Sequence, residues 1–254
     1  MKIKGMLLAS LTLLSGTVML TACSANQRKA SDSKTLYLMQ TGDILSLDNS
    51  NQANLTQWDV LEQSMEGMYR AGKNGKLIPA MATSIVKPTN SGRTYTYHLR
   101  KNARWSNGDP VTAQDFVDAL QYVLTPAYAS STASLVTPYV AGAEDYYNYL
   151  FYKASAENGT VAEDGTTYTL EADGSVTAAA ADGTTTSYAP VDFDTVGVKA
   201  VDEHTLTYTL CFDFPGFVSL LSYAPYEPAY GPLLEELGDQ FCTSAETACS
   251  CGAF

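Results

Sequence analysis

The sequence has little histidine and lacks the common catalytic motifs. It contains only two histidines, His98 and His204, among 254 residues. It has no Gly-x-Ser-x-Gly, no His-Glu-x-x-His and no phosphate-cradling glycine loop. A metal pair or a Ser-His-Asp arrangement that uses either histidine stays an open alternative, but the pattern favours one strand residue and one hairpin-turn residue. We therefore predict a protein that is not an enzyme, with no catalytic residue, cofactor or metal site.

Basic residues and long apolar runs are also scarce. Lys and Arg number 15 against 27 Asp and Glu, which gives a formal net charge of −12 at pH 7. Nucleic acids are bound through clustered Lys and Arg that neutralise phosphates. A membrane-spanning helix needs about 20 predominantly apolar residues, and no segment after residue 22 provides them. The composition therefore argues against a nucleic-acid partner and against a membrane span in the body of the chain.

Cysteine is sparse and unevenly placed. Of the five cysteines, four lie in the last quarter of the chain, and these are Cys211, Cys242, Cys249 and Cys251. Cys249 and Cys251 are too close in sequence for an easy mutual disulfide, and no histidine lies nearby to complete a zinc site. We interpret the four as incidental thiols or as members of an adventitious disulfide.

The N-terminus has the pattern of an export signal. Lys2 and Lys4 precede an apolar stretch from residue 6 to residue 20, and small residues follow. The ending Leu20-Thr21-Ala22-Cys23 resembles the lipobox of bacterial lipoproteins. An ordinary signal peptide followed by a chance cysteine is the alternative.

The lipobox resemblance implies a processed and anchored protein. Residues 1–22 would be removed, and Cys23 would become the lipid-attachment residue. Two or three acyl chains are enough for stable anchoring, so the membrane would be contacted through the lipid alone. We expect the polar residues 23–34 to form a flexible tether on the extracellular face of the bacterial cell membrane.

The rest of the chain mixes helix and strand signals. Apolar spacing and turn residues predict three helices and several antiparallel strands. The helices are expected at about 56–68, from residue 112 to the stop at Pro126, and at 143–152; the strands are expected at 35–39, 76–78, 93–100, 196–201 and 205–210. Without a regular βαβ alternation, the pattern indicates an α+β or mixed α/β fold.

Two further features leave open questions. Residues 157–190 are rich in Gly, Thr, Ala and Asp and read as a low-complexity surface insertion, with one exposed hairpin through 167–170. The chain also has 17 tyrosines. Tyrosine suits a groove for varied ligands, but packing between subdomains explains the tyrosines equally well.

Four segments carry a resemblance to a known family. The run from Tyr95 to Phe116, which includes Arg-Lys-Asn-Ala-Arg-Trp-Ser-Asn-Gly-Asp-Pro-Val-Thr-Ala, closely resembles the signature of the family 5 extracellular solute-binding proteins. Ser46-Leu47-Asp48, Glu66-Gly67-Met68 and residues 197–206 agree with it as well. Members of this family are the oligopeptide- and dipeptide-binding proteins of ABC importers.

The resemblance implies a two-lobed fold of the periplasmic-binding-protein type II class. An extended peptide lies between the lobes and is held mostly through its backbone. The segment after Ser-Leu-Asp would offer backbone to the peptide, which places peptide-binding residues at Gln52, Ala53, Asn54 and Leu55. The signature itself would belong to the scaffold, with Trp105 as a packing anchor.

Family members are much longer than this chain. We therefore expect residues 35–254 to form a truncated N-terminal lobe, without the second lobe and its acidic partner for the peptide amine. The predicted function is the substrate-binding lipoprotein of an ABC importer, which captures oligopeptides and delivers them to permease subunits, impaired by truncation. The alternatives are a surface-tethered, adhesin-like interaction module and a non-functional gene remnant.

Overall fold

The computed structural model describes residues 42–44, 46–49 and 55–252. In this part of the chain the α-helices are α1 (Leu55–Ser64), α2 (Ala113–Val123), α3 (Ala143–Asn158), α4 (Phe217–Leu220) and α5 (Gly231–Leu237). The strands are β1 (Tyr69–Ala71), β2 (Leu77–Pro79), β3 (Thr94–His98), β4 (Thr167–Leu170), β5 (Val176–Ala179), β6 (Thr185–Tyr188), β7 (Val198–Asp202) and β8 (Thr205–Thr209). The expected strand at 35–39 lies outside the described residues.

The core is built on an antiparallel sheet with the strand order β3-β8-β7. Alternation along β3 places Tyr95 and Tyr97 inward, while His98 points to solvent, as the sequence predicts. Tyr95 pairs with Tyr208 of β8, and Phe217 packs on both rings. The sheet thus buries an aromatic layer, which supports the packing interpretation for these tyrosines.

Helix α2 covers the sheet through its contact with β7 and begins at the predicted capping box. The Thr112 backbone N–H donates to Asp115 Oδ2 at 2.7 Å, which satisfies one of the free donors at the helix start. Trp105 is 2% exposed, and its indole Nε1–H donates to the same oxygen at 3.2 Å. Trp105 is therefore a packing anchor of the scaffold, as expected.

Helix α1 is shorter than the apolar spacing predicts, because it ends at Ser64 and not near Met68. The Ser64 carbonyl accepts hydrogen bonds from the backbone N–H groups of Cys251 and Gly252, so tertiary partners replace the next helical turn. Met68 is fully buried although it lies outside the helix. The apolar periodicity therefore marks core residues correctly and misplaces the helix end.

Residues 157–190 have more regular structure than the expected single hairpin. Helix α3 runs on to Asn158, and β4, β5 and β6 form a three-stranded antiparallel meander. Asp-Gly turns recur every nine residues, and the Asp164, Asp173 and Asp182 carboxylates each accept a backbone N–H two residues later. These turns fix the strand register of the meander.

Tyrosine side chains of helix α3 pack against the meander. Tyr152 stacks on Tyr168 with ring centroids 5.2 Å apart and also contacts Tyr188. The Tyr149 hydroxyl donates to the Gly174 carbonyl at 2.9 Å. The reading of 157–190 as an insertion stays a prediction, but the segment is docked on a helix.

Candidate functional site

The Ser46-Leu47-Asp48 motif is held in place by contacts with distant parts of the chain. The Leu47 backbone N–H donates to the Cys242 carbonyl at 2.9 Å. Asp48 is buried, and its Oδ2 accepts a hydrogen bond from the Tyr122 hydroxyl of α2 at 3.0 Å. The Gln57 side-chain amide of α1 donates to the Ser46 carbonyl at 3.1 Å. The motif therefore positions the chain before α1.

Asn49 extends these contacts to the segment that follows α4. Its side chain is buried, and its Nδ2 lies 3.4 Å from the Ala224 carbonyl and 3.5 Å from the Glu227 carbonyl. Residues 46–49, helix α1 and residues 222–227 thus form one face. Asn49 belongs to this face through its hydrogen bonds to the segment after α4. Helix α1, which begins at Leu55, belongs to it as well.

An aromatic pair, Trp58 and Tyr223, lies on this face. The two ring centroids are 5.8 Å apart and the rings are tilted by 53°. Trp58 is half-buried, and Tyr223 is 43% exposed although most of the other described tyrosines are covered. Exposed aromatic rings give a large contact area at small cost in conformational entropy, so this pair suits ligand contact.

An acidic cavity with a volume of about 340 Å³ is lined by residues of α1, β1 and the segment after α4. Its charged lining residues are Glu62, Glu66, Arg70 and Glu227, and the rest of the lining is Gln63, Met65, Gly67, Tyr69, Ala71, Ser222 and Gly252. Arg70 and Arg100 both pair with Glu66. Neither Glu62 nor Glu227 forms an ion pair among the described residues.

Glu227 is the unusual member of the acidic cavity. It is 8% exposed, and its Oε2 has no hydrogen-bond partner among the described residues. Desolvation by burial, with a smaller contribution from the Glu62 charge, raises the pKa of Glu227 to about 8. A buried polar atom without a partner is costly and points to a missing donor.

The glycine of the Glu66-Gly67-Met68 motif keeps this region tightly packed. A Cβ atom at Gly67 would lie 3.1 Å from the Leu221 carbonyl oxygen and 3.4 Å from Glu227 Cγ. The Glu66 carboxylate forms the ion pair with Arg100 of the signature run. Both motif residues therefore link α1 to the signature and to the cavity.

The residues predicted to carry function are mostly outside the described part. Cys23 and Gln52, Ala53 and Asn54 lie outside the described residues, and Leu55 is the first residue of α1. The sequence reading missed Trp58 and Glu227. Trp58 could have been noticed as an aromatic residue four positions before Glu62 on one helix face, whereas nothing local to Glu227 marks its burial.

Within residues 42–44, 46–49 and 55–252, no group of three His, Cys, Asp or Glu residues could hold a metal ion. His98 lies on β3 and His204 in the turn between β7 and β8, and neither belongs to a described cluster that could hold a metal ion. Among the described cysteines, Cys211 is exposed, the other three are buried, and all are free thiols. In the described ranges, no helix combines the length and apolarity required to span a bilayer.

Comparison with known proteins gives a consistent result. A family model described as bacterial extracellular solute-binding proteins, family 5 Middle, matches residues 76–254. A dipeptide-binding protein of Lactococcus lactis subsp. cremoris is 28% identical over 247 residues, which are 97% of this chain and 36% of that protein. The dipeptide-binding protein DppE of Bacillus subtilis is 37% identical over 139 residues, which are 50% of this chain and 25% of that protein.

A solved structure agrees with the fold. The substrate-binding domain of an oligopeptide ABC transporter from Bacillus anthracis superposes with a TM-score of 0.66 at 29% identity, over 85% of this chain and 34% of that chain. The expected mixed α/β fold of the periplasmic-binding-protein type II class is therefore confirmed. The chain spans about a third of the length of the relatives that it matches.

Proposed function

Because this chain belongs to the family 5 bacterial extracellular solute-binding proteins, we propose that it is a peptide-capturing component of an ABC importer. Proteins of this family bind solutes and are not enzymes, in agreement with the sequence prediction. The similar proteins from Lactococcus lactis and Bacillus subtilis are named for dipeptide binding. By this likeness, the ligand of the present chain is a short peptide, which is passed on to permease subunits.

The observation that carries the proposal is the face formed by residues 46–49, α1 and residues 222–227. Asn49 is hydrogen-bonded to the segment after α4, and α1, which carries Trp58 of the aromatic pair, begins at Leu55. Peptide backbone added alongside such a segment gives affinity that is independent of sequence. The rings of Trp58 and Tyr223 then contribute a contact surface for different side chains.

Calorimetry with short peptides tests this proposal. Trp58→Ala removes one ring of the aromatic pair. We expect the Kd for peptide to rise at least about fivefold, since a central aromatic contact is worth more than about 1 kcal/mol. Phe151→Ala is the matched control, because Phe151 is 46% exposed on α3. Absence of heat with every peptide would contradict the proposal and favour the interaction module.

We further propose that Cys23 is the lipid-attachment residue and that residues 23–34 tether residues 35–254 to the extracellular face of the membrane. The support is the sequence Leu20-Thr21-Ala22-Cys23 after an apolar stretch. Metabolic labelling with palmitate should mark the protein and fail to mark Cys23→Ser. Equal labelling of the two would contradict this assignment.

A further inference from the structure

The lining of the acidic cavity contains three carboxyl groups, those of Glu62, Glu66 and Glu227, and one cation, Arg70. Arg70 and Arg100 both pair with Glu66, whereas neither Glu62 nor Glu227 forms an ion pair among the described residues. Glu62 is exposed on α1, whereas Glu227 is buried and reaches the cavity from the segment after α4. Removing a carboxylate from water is unfavourable unless donors or a positive charge replace the lost hydration.

Oε2 of Glu227 lacks such a donor among the described residues. Among the described residues, no three metal-ligating side chains come together in this cavity. The cavity therefore does not fit a metal ion. A cavity of about 340 Å³ lies near the lower end of the range of about 300–1,000 Å³ that is usual for ligand pockets. It is suited to one compact cationic group with several N–H donors.

The cavity and the aromatic pair share two elements of the chain, α1 and the segment after α4. Trp58 and Glu62 are four residues apart on α1 and lie on the same side of the helix. Ser222, which lines the cavity, directly precedes Tyr223 of the aromatic pair. A side chain of a peptide that crosses the aromatic pair can therefore enter the cavity.

We propose that the acidic cavity binds a primary ammonium group, such as the side chain of a lysine in the bound peptide, with Glu227 as the principal acceptor and Glu62 at the entrance. This inference rests on the proposed function, because the peptide delivers the ammonium group. An ammonium ion has three donors and no acceptor. It supplies a hydrogen-bond donor and an opposing charge to the Glu227 carboxylate, which lines the cavity.

Binding of a cation should be linked to ionisation of Glu227. Burial raises the pKa of this carboxyl to about 8, so it is mostly neutral at pH 7, whereas a lysine ammonium stays charged up to about pH 10. The titratable and charged groups around it are Glu62, Glu66, Arg70, Arg100, Tyr69 and Cys251. Burial raises the pKa of both Tyr69 and Cys251, which keeps these groups neutral in this range.

The test uses two peptides that are identical except that one has lysine where the other has norleucine. Calorimetry at pH 8.5 measures the Kd of each. We expect the wild-type chain to bind the lysine peptide at least about tenfold more tightly, as for a charge-assisted hydrogen bond. In Glu227→Gln the lysine preference should fall below about threefold. Glu236→Gln on α5 makes the same charge change outside the cavity and should keep the preference.

Further measurements keep the outcomes distinct. Glu62→Gln, at an exposed position, should reduce the preference in part without affecting folding, and circular dichroism verifies the fold of each variant. A wild type without lysine preference, or Glu227→Gln with an intact preference, overturns the inference. If neither peptide binds, the proposed function fails, and n-butylamine then decides about the cavity. If this amine raises the unfolding temperature of the wild type and not that of Glu227→Gln, the result supports the ammonium site. If the amine does not stabilise the wild type, the inference is overturned.

Discussion

Replacing Glu227 by glutamine should stabilise the protein, and the gain should depend on pH. The pKa of this buried carboxyl is raised from its ordinary value of 4.5 to about 8. The folded state therefore holds the proton more tightly than the unfolded state, so the wild-type chain loses stability as the pH rises from about 4.5 to about 8. Glutamine has nearly the same shape and does not titrate, so the variant escapes this loss.

The size of the effect follows from the pKa difference. Each unit corresponds to about 1.4 kcal/mol, so a rise from 4.5 to about 8 amounts to about 5 kcal/mol at full ionisation. The free energy of unfolding of Glu227→Gln minus that of the wild type should thus grow from near zero at pH 4 to about 5 kcal/mol at pH 9. This is large against the total stability of about 5–15 kcal/mol that is usual for a domain.

Urea unfolding followed by circular dichroism between pH 4 and pH 9 measures this difference. Other titrating groups contribute equally to both chains and cancel, apart from the smaller contribution of Glu62, which interacts with Glu227. Glu236→Gln is the control, because Glu236 is exposed, and its difference should stay within about 0.5 kcal/mol at every pH. A difference that is independent of pH, or a Glu227→Gln chain less stable than the wild type at pH 9, would refute the reasoning.

Two other predictions concern the scaffold. Asp115→Ala removes the acceptor for the Thr112 cap and for the buried Trp105 indole, and should lower the free energy of unfolding by about 3–5 kcal/mol in urea titrations. Asp118→Ala on the same helix should cost less than about 1 kcal/mol, and equal losses would contradict the role of the cap. Tyr149→Phe removes the hydroxyl that holds the meander on α3 and should cost about 1 kcal/mol, with faster hydrogen exchange in 167–188 than elsewhere. Unchanged exchange in the meander would contradict this docking.

Features with local causes could be predicted from the sequence. The turn at Asn74-Gly75 has positive φ at both residues, as an Asn-Gly pair favours. The capping box at Thr112 and Asp115 is a contact between residues three positions apart. The alternation of residues along β3 predicted which side chains face the core and which face solvent. In each case the determining interaction lies within a few residues, so the pattern is visible in the chain itself.

Features with long-range causes could not be predicted in this way. The end of α1 at Ser64 depends on the backbone of residues 251–252, which is remote in sequence. The docking of the meander depends on tyrosines of α3 that gave no sign of their partners. Burial of Glu227 follows from packing against α1 and Gly67. Residues 52–54, chosen by resemblance to the family, stay a prediction.

Hydrogen–deuterium exchange with and without a short peptide tests the central claim, capture of a peptide on the face formed by residues 46–49, α1 and residues 222–227. We predict slower exchange in segments 46–64 and 221–227 when the peptide is present, and no change in the meander at 167–188. Protection confined to the meander, or unchanged exchange over 46–64 at a peptide concentration that saturates the calorimetric signal, would contradict the account.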